Sequence, residues 1–149
     1  MINPLPLPDS YNLERFLSAQ QPAYDRVLSE LRNGAKQTHW MWFIFPQFAG
    51  LGHSSRAQHF AIRSVDEAQA YLDHPVLGAR LGECAAIVNG IAGRSAREIF
   101  GTPDDLKLRS CATLFAEVSH DMTFVQLLDK YFNGEADKTT LALIKQSIK

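Results

Sequence analysis

The amino-acid sequence predicts an all-α protein, a single globular domain of about seven helices packed around a central aromatic segment. Three observations lead to this fold class. Apolar residues recur along most of the chain at i, i+3, i+4 and i+7, which is the spacing of one helix face. Residues that favour helix starts and stops punctuate those patterns, and no stretch alternates apolar and polar residues as a strand would. The length of 149 residues suits one domain, which we assign to residues 1–149.

The N-terminal part of the chain is predicted to contain an extended arm and two helices. Residues 1–8 include three prolines and form the Pro-rich arm. Asn12 is positioned to cap a short helix that continues through Leu17. The next helix ends at Asn33-Gly34, since glycine suits the left-handed position after a helix. Its apolar face consists of Tyr24, Val27, Leu28 and Leu31.

The central segment, residues 36–52, is predicted to be the hub of the core. Five of the fifteen aromatic residues fall between Trp40 and Phe48. Each aromatic side chain buries roughly 150–250 Å², so these rings are expected to dominate the core. Periodicity does not separate a buried helix from a buried strand in this segment. Pro46 disfavours a helical conformation at Phe45, which indicates a turn of helix followed by an extended piece.

Capping patterns divide the region after the central segment into further helices. Ser54 or Ser55 begins a short helix, and Ser64 with Glu67 three residues later forms a capping-box pattern for the next one. The stripe that follows is the most regular in the chain and predicts the longest helix, ended by Gly93. Its apolar residues are Leu77, Leu81, Cys84, Val88 and Ile91.

Three more start signals occur in the last third of the chain. Ser95 and Glu98 repeat the capping-box pattern. Thr102-Pro103 provides an N-cap and a proline at the first helical position. Asp137 can cap a final helix. The later apolar faces are Leu108, Cys111, Leu114, Phe115 and Val118, then Phe124, Leu127, Leu128 and Tyr131, and finally Leu141, Ile144 and Ile148.

Composition excludes several classes of protein. Fifteen basic and sixteen acidic side chains form no basic stripe, so no nucleic-acid partner is expected. No apolar run approaches the roughly 20 residues that cross a bilayer, and the N-terminus lacks the organisation of a signal peptide. Cys84 and Cys111 lie in apolar stripes and are expected to be buried free thiols. These features favour a soluble, cytoplasmic protein with no membrane partner.

Three stretches of the sequence together resemble a known family. They are His39-Trp40-Met41-Trp42-Phe43-Ile44-Phe45-Pro46-Gln47 with Gly50-Leu51-Gly52, then Tyr71-Leu72-Asp73-His74-Pro75-Val76-Leu77-Gly78 with Arg80-Leu81, and then Ile99-Phe100-Gly101 with Asp104-Asp105 and Lys107-Leu108. From Tyr11 to Ile144 the chain is similar to domain-of-unknown-function family 1810, whose bacterial members are sometimes labelled calpastatin-like. The resemblance implies a mainly helical fold. It brings no reaction, substrate or catalytic residue with it.

The polar rim of the central segment is the candidate ligand-binding site. Donors and acceptors lie there beside two indole rings, a mixture that suits a pocket for a planar or nucleotide-like metabolite. The candidate residues are Lys36, His39, Trp40, Trp42, Gln47 and Ser54. In the alternative interpretation both indoles belong to the core, and Gln47 and His39 satisfy their N–H groups.

Three charged residues are candidates for the same site. Asp104 and Lys107 lie near the start of one predicted helix, and Arg80 lies on the polar side of another. One hypothesis brings them together with His39 at the mouth of the pocket, as an acid/base pair and an anion clamp. In the alternative, the acidic residues only stabilise the positive end of a helix dipole.

Other chemistries are not supported by the sequence. His39, His53 and His59 miss the spacing that puts two metal ligands on one helix face, so no metal or cofactor is expected. No Gly-x-Ser-x-Gly elbow or phosphate-binding loop occurs, and apolar neighbours would raise the pKa of Cys111.

Two functions remain open at this stage. The first is a small-molecule binding domain, with enzymatic activity left open. The second is a non-catalytic protein-interaction module in which the aromatic segment is purely structural. In that alternative the partner protein binds elsewhere, for example at the Pro-rich arm.

Overall fold

The computed structural model describes residues 9–148, which form ten helices and no strands. The Pro-rich arm predicted at residues 1–8 lies outside the described residues. In chain order the helices are α1 (Glu14–Gln20), α2 (Tyr24–Arg32), α3 (Met41–Ile44), α4 (Ser55–His59), α5 (Val65–Asp73), α6 (Leu77–Asn89), α7 (Ala96–Phe100), α8 (Asp104–Val118), α9 (Thr123–Phe132) and α10 (Lys138–Ser147). The all-α class is therefore confirmed. The number of helices exceeds the expected seven, and α3, α4 and α7 contain only four or five residues each.

The central segment lies in the core, as predicted. It consists of one turn of helix, α3, followed by extended residues. The rings of Trp40, Phe45 and Phe100 pack together, with neighbouring centroids between 5.9 and 6.4 Å apart. Trp42 is the exception among the five aromatic residues of the segment because it is only half-buried. The two tryptophans therefore occupy different environments.

Helix α8 is the central pillar of the fold. It is 15 residues long and packs against α5, α7, α9 and α10. The prediction that α6 would be the longest helix was wrong, since it contains 13 residues and ends at Asn89 rather than near Gly93. The ammonium group of Lys130 binds the carbonyl groups of Asn89 and Ile91 from α9. The Lys130 side chain, which is distant in sequence, thus donates to carbonyl groups at the end of α6 and just beyond it.

Most of the predicted helix starts are present. The Ser95 hydroxyl accepts the Glu98 N–H at 3.1 Å, and the Glu98 carboxylate accepts the Ser95 N–H at 2.8 Å, which completes a capping box. Ser64 and Asp137 each accept the N–H of the third residue after them, at 3.0 Å. Short polar side chains therefore define where α5, α7 and α10 begin.

The cap predicted for α1 was wrong. Asn12 adopts a left-handed conformation with a φ of 51° and does not cap the helix. The carboxylate of Asp9 instead accepts the N–H groups of Leu13 and Glu14, at 2.7 and 2.9 Å. An ionised carboxylate can accept from two N–H groups at once, which makes it the stronger partner for the start of the helix.

A buried amide fixes α3 from the core side. The side-chain amide of Gln20 donates to the carbonyl of Phe43 at 2.7 Å and to the hydroxyl of Tyr71 at 3.1 Å. These bonds connect α1 and α5 to the middle of α3. Since the other three residues of α3 are buried, Trp42 is left on the face that points away from the core.

Candidate functional site

A buried carboxylate organises the chain that leads into the central segment. Oε1 of Glu30, on α2, accepts the backbone N–H groups of Gln37 and Thr38 at 2.6 and 2.9 Å. The same oxygen accepts the indole N–H of Trp40 at 3.0 Å, and Oε2 accepts the Thr38 hydroxyl at 2.6 Å. Glu30 therefore holds residues 37–40 against α2.

The hydrogen bonds to Glu30 keep it ionised. Burial alone would raise the pKa of this carboxyl group, but the donors from Thr38, Gln37 and Trp40 together lower the pKa to about 2. The Trp40 N–H is thus satisfied by Glu30. The expectation that Gln47 or His39 would satisfy it is corrected, because the nearest acceptor comes from a different helix.

Asp104, at the start of α8, lies between two lysines. Its Oδ2 is 2.9 Å from Nζ of Lys36, and its Oδ1 is 3.3 Å from Nζ of Lys107. The Lys36 ammonium also donates to the carbonyl of Thr38 at 2.6 Å and lies 5.1 Å from the ring centroid of Trp40. The Lys36 side chain is only 6% exposed, and its contacts are with the protein interior. The Lys107 side chain is 25% exposed.

Trp42 has a cationic neighbour on each of two other elements. Nζ of Lys107, on α8, lies 5.0 Å from the centroid of the indole. The guanidinium carbon of Arg56, on α4, lies 5.3 Å from it. The negative face of an aromatic ring attracts cations at such distances. The indole and these two cations form a cluster that stays partly open to solvent.

An open groove runs along the exposed side of this indole. We call it the Trp42 groove; its volume is about 650 Å³. Its walls come from residues 51–57, from the first part of α8 and from the beginning of α10, and its lining includes Trp42, Gln47, His53, Ser54, Leu106 and Lys107. A smaller cavity of about 130 Å³ adjoins it and shares Trp42 and Gln47.

Two further charged residues in the Trp42 groove are engaged by the protein itself. The guanidinium of Arg109 donates to the carbonyl groups of Glu135 and Ala136, at 2.8 and 3.2 Å. Oδ2 of Asp137 accepts both the backbone N–H of Thr140 and its hydroxyl, at 3.0 and 2.5 Å. The polar atoms of Arg109 and Asp137 are therefore held in place by the protein, whereas Lys107 has Asp104 as its one ion-pair partner among the described residues.

The structure separates the nine predicted site residues into groups. Four of them line the Trp42 groove, namely Trp42, Gln47, Ser54 and Lys107. Asp104 is connected to that group by its ion pair with Lys107, and Lys36 is connected to it by its ion pair with Asp104. Trp40 is 1% exposed and belongs to the core, and His39 is exposed. The ligand-binding role of these residues stays a prediction.

Arg80 lies in a different environment from the Asp104 cluster. Its guanidinium donates to the side-chain oxygen of Gln20 at 3.2 Å and lies 4.7 Å from the ring centroid of Tyr24. Tyr24 in turn donates to the carboxylate of Glu83. Arg80 thus belongs to a network that connects α1, α2 and α6.

Sequence reasoning missed two residues that shape the site. Glu30 was overlooked because its partners lie seven to ten positions away, across the end of a helix, and no local pattern signals such a contact. Arg56 was overlooked because nothing in the sequence relates α4 to Trp42. The Ser54 cap, whose hydroxyl accepts the Ala57 N–H at 3.1 Å, was the only available signal for the position of α4.

The two cysteines are buried and not activated as nucleophiles. Burial raises the pKa of Cys84 to about 12 and that of Cys111 well above its usual value, so both thiols are protonated at neutral pH. Within residues 9–148, His, Cys, Asp and Glu side chains form no group of three or more suited to a metal ion. In the same residues no helix has the length and apolar character needed to cross a bilayer.

Comparisons with known proteins relate the chain to an uncharacterised family. The crystal structure of a conserved hypothetical protein from Mycobacterium tuberculosis, Rv1873, is 53% identical in sequence and superposes with a TM-score of 0.91. That similarity covers 92% of this chain and 99% of the mycobacterial one. No curated protein matches the chain. The family model described as a protein of unknown function (DUF1810) matches residues 10–144, and the chain therefore belongs to that family.

Proposed function

We propose that this protein binds a small, planar metabolite in the Trp42 groove, with the ring of the ligand against the indole. The observation that carries the proposal is a half-buried tryptophan on the floor of an open groove of about 650 Å³. Binding sites for small ligands typically have volumes of about 300–1,000 Å³ and combine aromatic surface with a few polar groups. A nucleobase is one example of a ring of suitable size and shape.

Trp42 differs from Trp40 in what the fold requires of it. Trp40 is 1% exposed and its N–H is bound by Glu30, so its position is fully explained by packing. Trp42 is half-buried, and its N–H makes no hydrogen bond with residues 9–148. A large aromatic ring that keeps a free donor and an open edge is well suited to hold a second ring.

Polar side chains around the indole can orient such a ligand. Ser54 uses its oxygen as an acceptor for the Ala57 N–H, which leaves its O–H free to donate into the groove. Gln47 also lines the groove, with an amide that offers both a donor and an acceptor. The proposal concerns binding. A reaction that used Asp104 and Lys107 as an acid/base pair would first require their ion pair to open.

Substitution of Trp42 tests the proposal. A screen of planar metabolites by thermal shift, followed by calorimetry, is expected to yield a ligand. Trp42→Leu should weaken its binding about 5- to 150-fold, because stacking on an aromatic side chain contributes about 1–3 kcal/mol. Trp42→Phe should retain most of the affinity.

Met122→Ala is the matched control, since Met122 is exposed and lies outside the lining of the Trp42 groove. Its affinity should equal that of the wild-type protein. A screen without a ligand, or a ligand that binds Trp42→Leu as tightly as the wild type, would contradict the proposal.

The alternative of a protein-interaction module stays a prediction. It places the partner away from the aromatic segment, for example at the Pro-rich arm, which lies outside residues 9–148. Among the described residues, the large exposed apolar side chains are spread along the chain, and only two of them lie within helices; they are Tyr11, Val76, Leu106, Met122, Leu141 and Ile148. Scattered side chains of this kind are normal on a protein surface.

A further inference from the structure

We propose that the planar ligand of the Trp42 groove carries a phosphate group, held by Lys107 and Arg56. This inference rests on the proposed function, because it assigns the second half of a ligand whose ring lies against Trp42. It follows from the charges around the groove and from what happens to the two cations when a ring enters.

The free hydrogen-bonding groups around Trp42 are mainly donors. The Lys107 ammonium has one ion-pair partner, Asp104, at 3.3 Å. The Arg56 side chain is exposed and makes no hydrogen bond or ion pair with residues 9–148; its contact is the Trp42 ring. Asp137 also lines the groove, and its Oδ2 accepts from Thr140 and from the Ser110 hydroxyl, which are neutral donors. The groups next to the Trp42 ring are the two cations, and a negatively charged group rich in acceptors complements them.

Entry of a ring also favours an anion over a neutral ligand. Both cations lie about 5 Å from the indole centroid, so a ring that stacks there displaces at least one of them. A neutral ring that displaced Arg56 would leave this guanidinium without a partner among residues 9–148, whereas Lys107 would keep its ion pair with Asp104. A phosphate attached to the ring offers that cation a charge-assisted hydrogen bond, which is a stronger interaction than the one it loses.

Asp104 allows Lys107 to change partners. Its other oxygen is 2.9 Å from the nearly buried ammonium of Lys36. When Lys107 moves towards a phosphate, Asp104 keeps a cation beside it and is not left unpaired. Lys36 thus supports the site from the interior, while Lys107 in the groove lining and Arg56 beside the Trp42 ring are the cations nearest to the ligand.

A comparison of matched compounds tests the inference. Each common nucleoside is titrated alongside its 5′-monophosphate, with ribose 5-phosphate as the compound that has the phosphate but no base. Calorimetry at low ionic strength should show at least one monophosphate that binds about tenfold or more tightly than both its nucleoside and ribose 5-phosphate. That affinity should fall as salt is added, since exposed charges are screened.

Charge-removing variants identify the contacts. Arg56→Gln and Lys107→Gln should each weaken the monophosphate about tenfold and leave the affinity of the nucleoside unchanged. Arg97→Gln is the control. Arg97 is an exposed cation on α7, and its substitution removes the same charge. Its monophosphate affinity should match that of the wild type.

The outcomes of these measurements distinguish the phosphate assignment from the stacking site. Equal affinity for nucleoside and monophosphate overturns the phosphate assignment and leaves the stacking site intact. Equal affinity for ribose 5-phosphate and monophosphate overturns the stacking site. Equal losses in Arg97→Gln and the two groove variants overturn the assigned contacts, and no binding by any compound at millimolar concentration overturns both proposals.

Discussion

At the scale of single residues, the two tryptophans show how one local pattern produces two different roles. They are two positions apart in a four-residue helix and its flank, yet one is enclosed by α2 and the other faces the groove. Glu30 decides the first role because it accepts the Trp40 N–H. Arg56 and Lys107 characterise the second because they border the Trp42 ring.

The low pKa of Glu30 makes a prediction about stability and pH. Because the folded-state pKa, about 2, lies below that of an unfolded glutamate, its contribution is fully present above about pH 4.3 and is lost as the pH falls through 2. Glu30→Gln should therefore be less stable than the wild type at neutral pH, by about 3 kcal/mol. Urea unfolding across this pH range measures the difference.

The difference between the two proteins should shrink towards zero as the pH approaches 2. A difference that stays constant with pH would mean that Glu30 stabilises the fold by shape and not by charge. Glu98→Gln is a useful comparison. Its carboxylate also has a lowered pKa, from the Ser95 capping box, but it is exposed and should contribute far less.

The sequence was informative about which residues are apolar and uninformative about which partners they meet. It placed Trp42, Gln47, Ser54 and Lys107 among the candidates, and the fold brings these four to one groove. It could not separate Trp40 from Trp42, since both belong to the unbroken apolar run from Trp40 to Phe45. That distinction depends on Glu30, whose contact crosses the end of α2.

At the scale of elements, α6 carries two glycines four residues apart that the fold uses differently. A Cβ at Gly78 would lie 2.0 Å from the carbonyl oxygen of Leu72, so this glycine allows α5 and α6 to approach closely. A Cβ at Gly82 would have nothing within 4 Å. Only the first glycine is required by packing.

Alanine substitutions should therefore have opposite effects at these positions. Gly82→Ala should stabilise the protein by about 0.5–1 kcal/mol, because alanine favours a helix interior over glycine. Gly78→Ala should destabilise it by about 1–3 kcal/mol, because the backbone of α5 must shift. Differential scanning calorimetry of the two variants measures both effects. Destabilisation by Gly82→Ala would indicate that this face of α6 is covered in solution.

The beginnings of helices were easier to predict from sequence than their ends. Ser54, Ser64, Ser95 and Asp137 act within three residues of themselves, so the caps could be recognised locally. At the end of α6, the Asn89 carbonyl accepts a hydrogen bond from Lys130, which is more than forty positions away in sequence. A contact of this kind could not be recognised locally.

At the scale of the whole molecule, one continuous core includes apolar residues from nearly every helix. It extends from Phe16 in α1 to Ile144 in α10, with the central segment in its middle. A single core of this kind predicts that the described helices unfold together. The fold class followed from helical periodicity, from the residues at helix starts and stops and from the lack of alternating strands, whereas the packing of helices around α8 required the structure.

Cooperative unfolding can be tested with the Trp42→Phe variant, in which Trp40 is the only remaining tryptophan. Fluorescence then reports on the core beside α2 and α7, and far-UV circular dichroism reports on all helices. The two urea transitions should have the same midpoint and slope. A fluorescence midpoint at lower urea would mean that the core around Trp40 opens before the remaining helices.

The isolated bridge between Phe48 and Ile62 has a consequence for engineering. The Ala49 N–H donates to Ile62 and the Ile62 N–H donates to Gln47, at 2.8 and 2.9 Å, so the two ends of residues 50–60 are joined to each other. That stretch therefore begins and ends at the same place in the fold. A designer could exchange residues 51–58 for another stretch of similar span and so rebuild one wall of the Trp42 groove; Phe60 would be kept, because its ring packs against Phe16 and Phe43 in the hydrophobic interior.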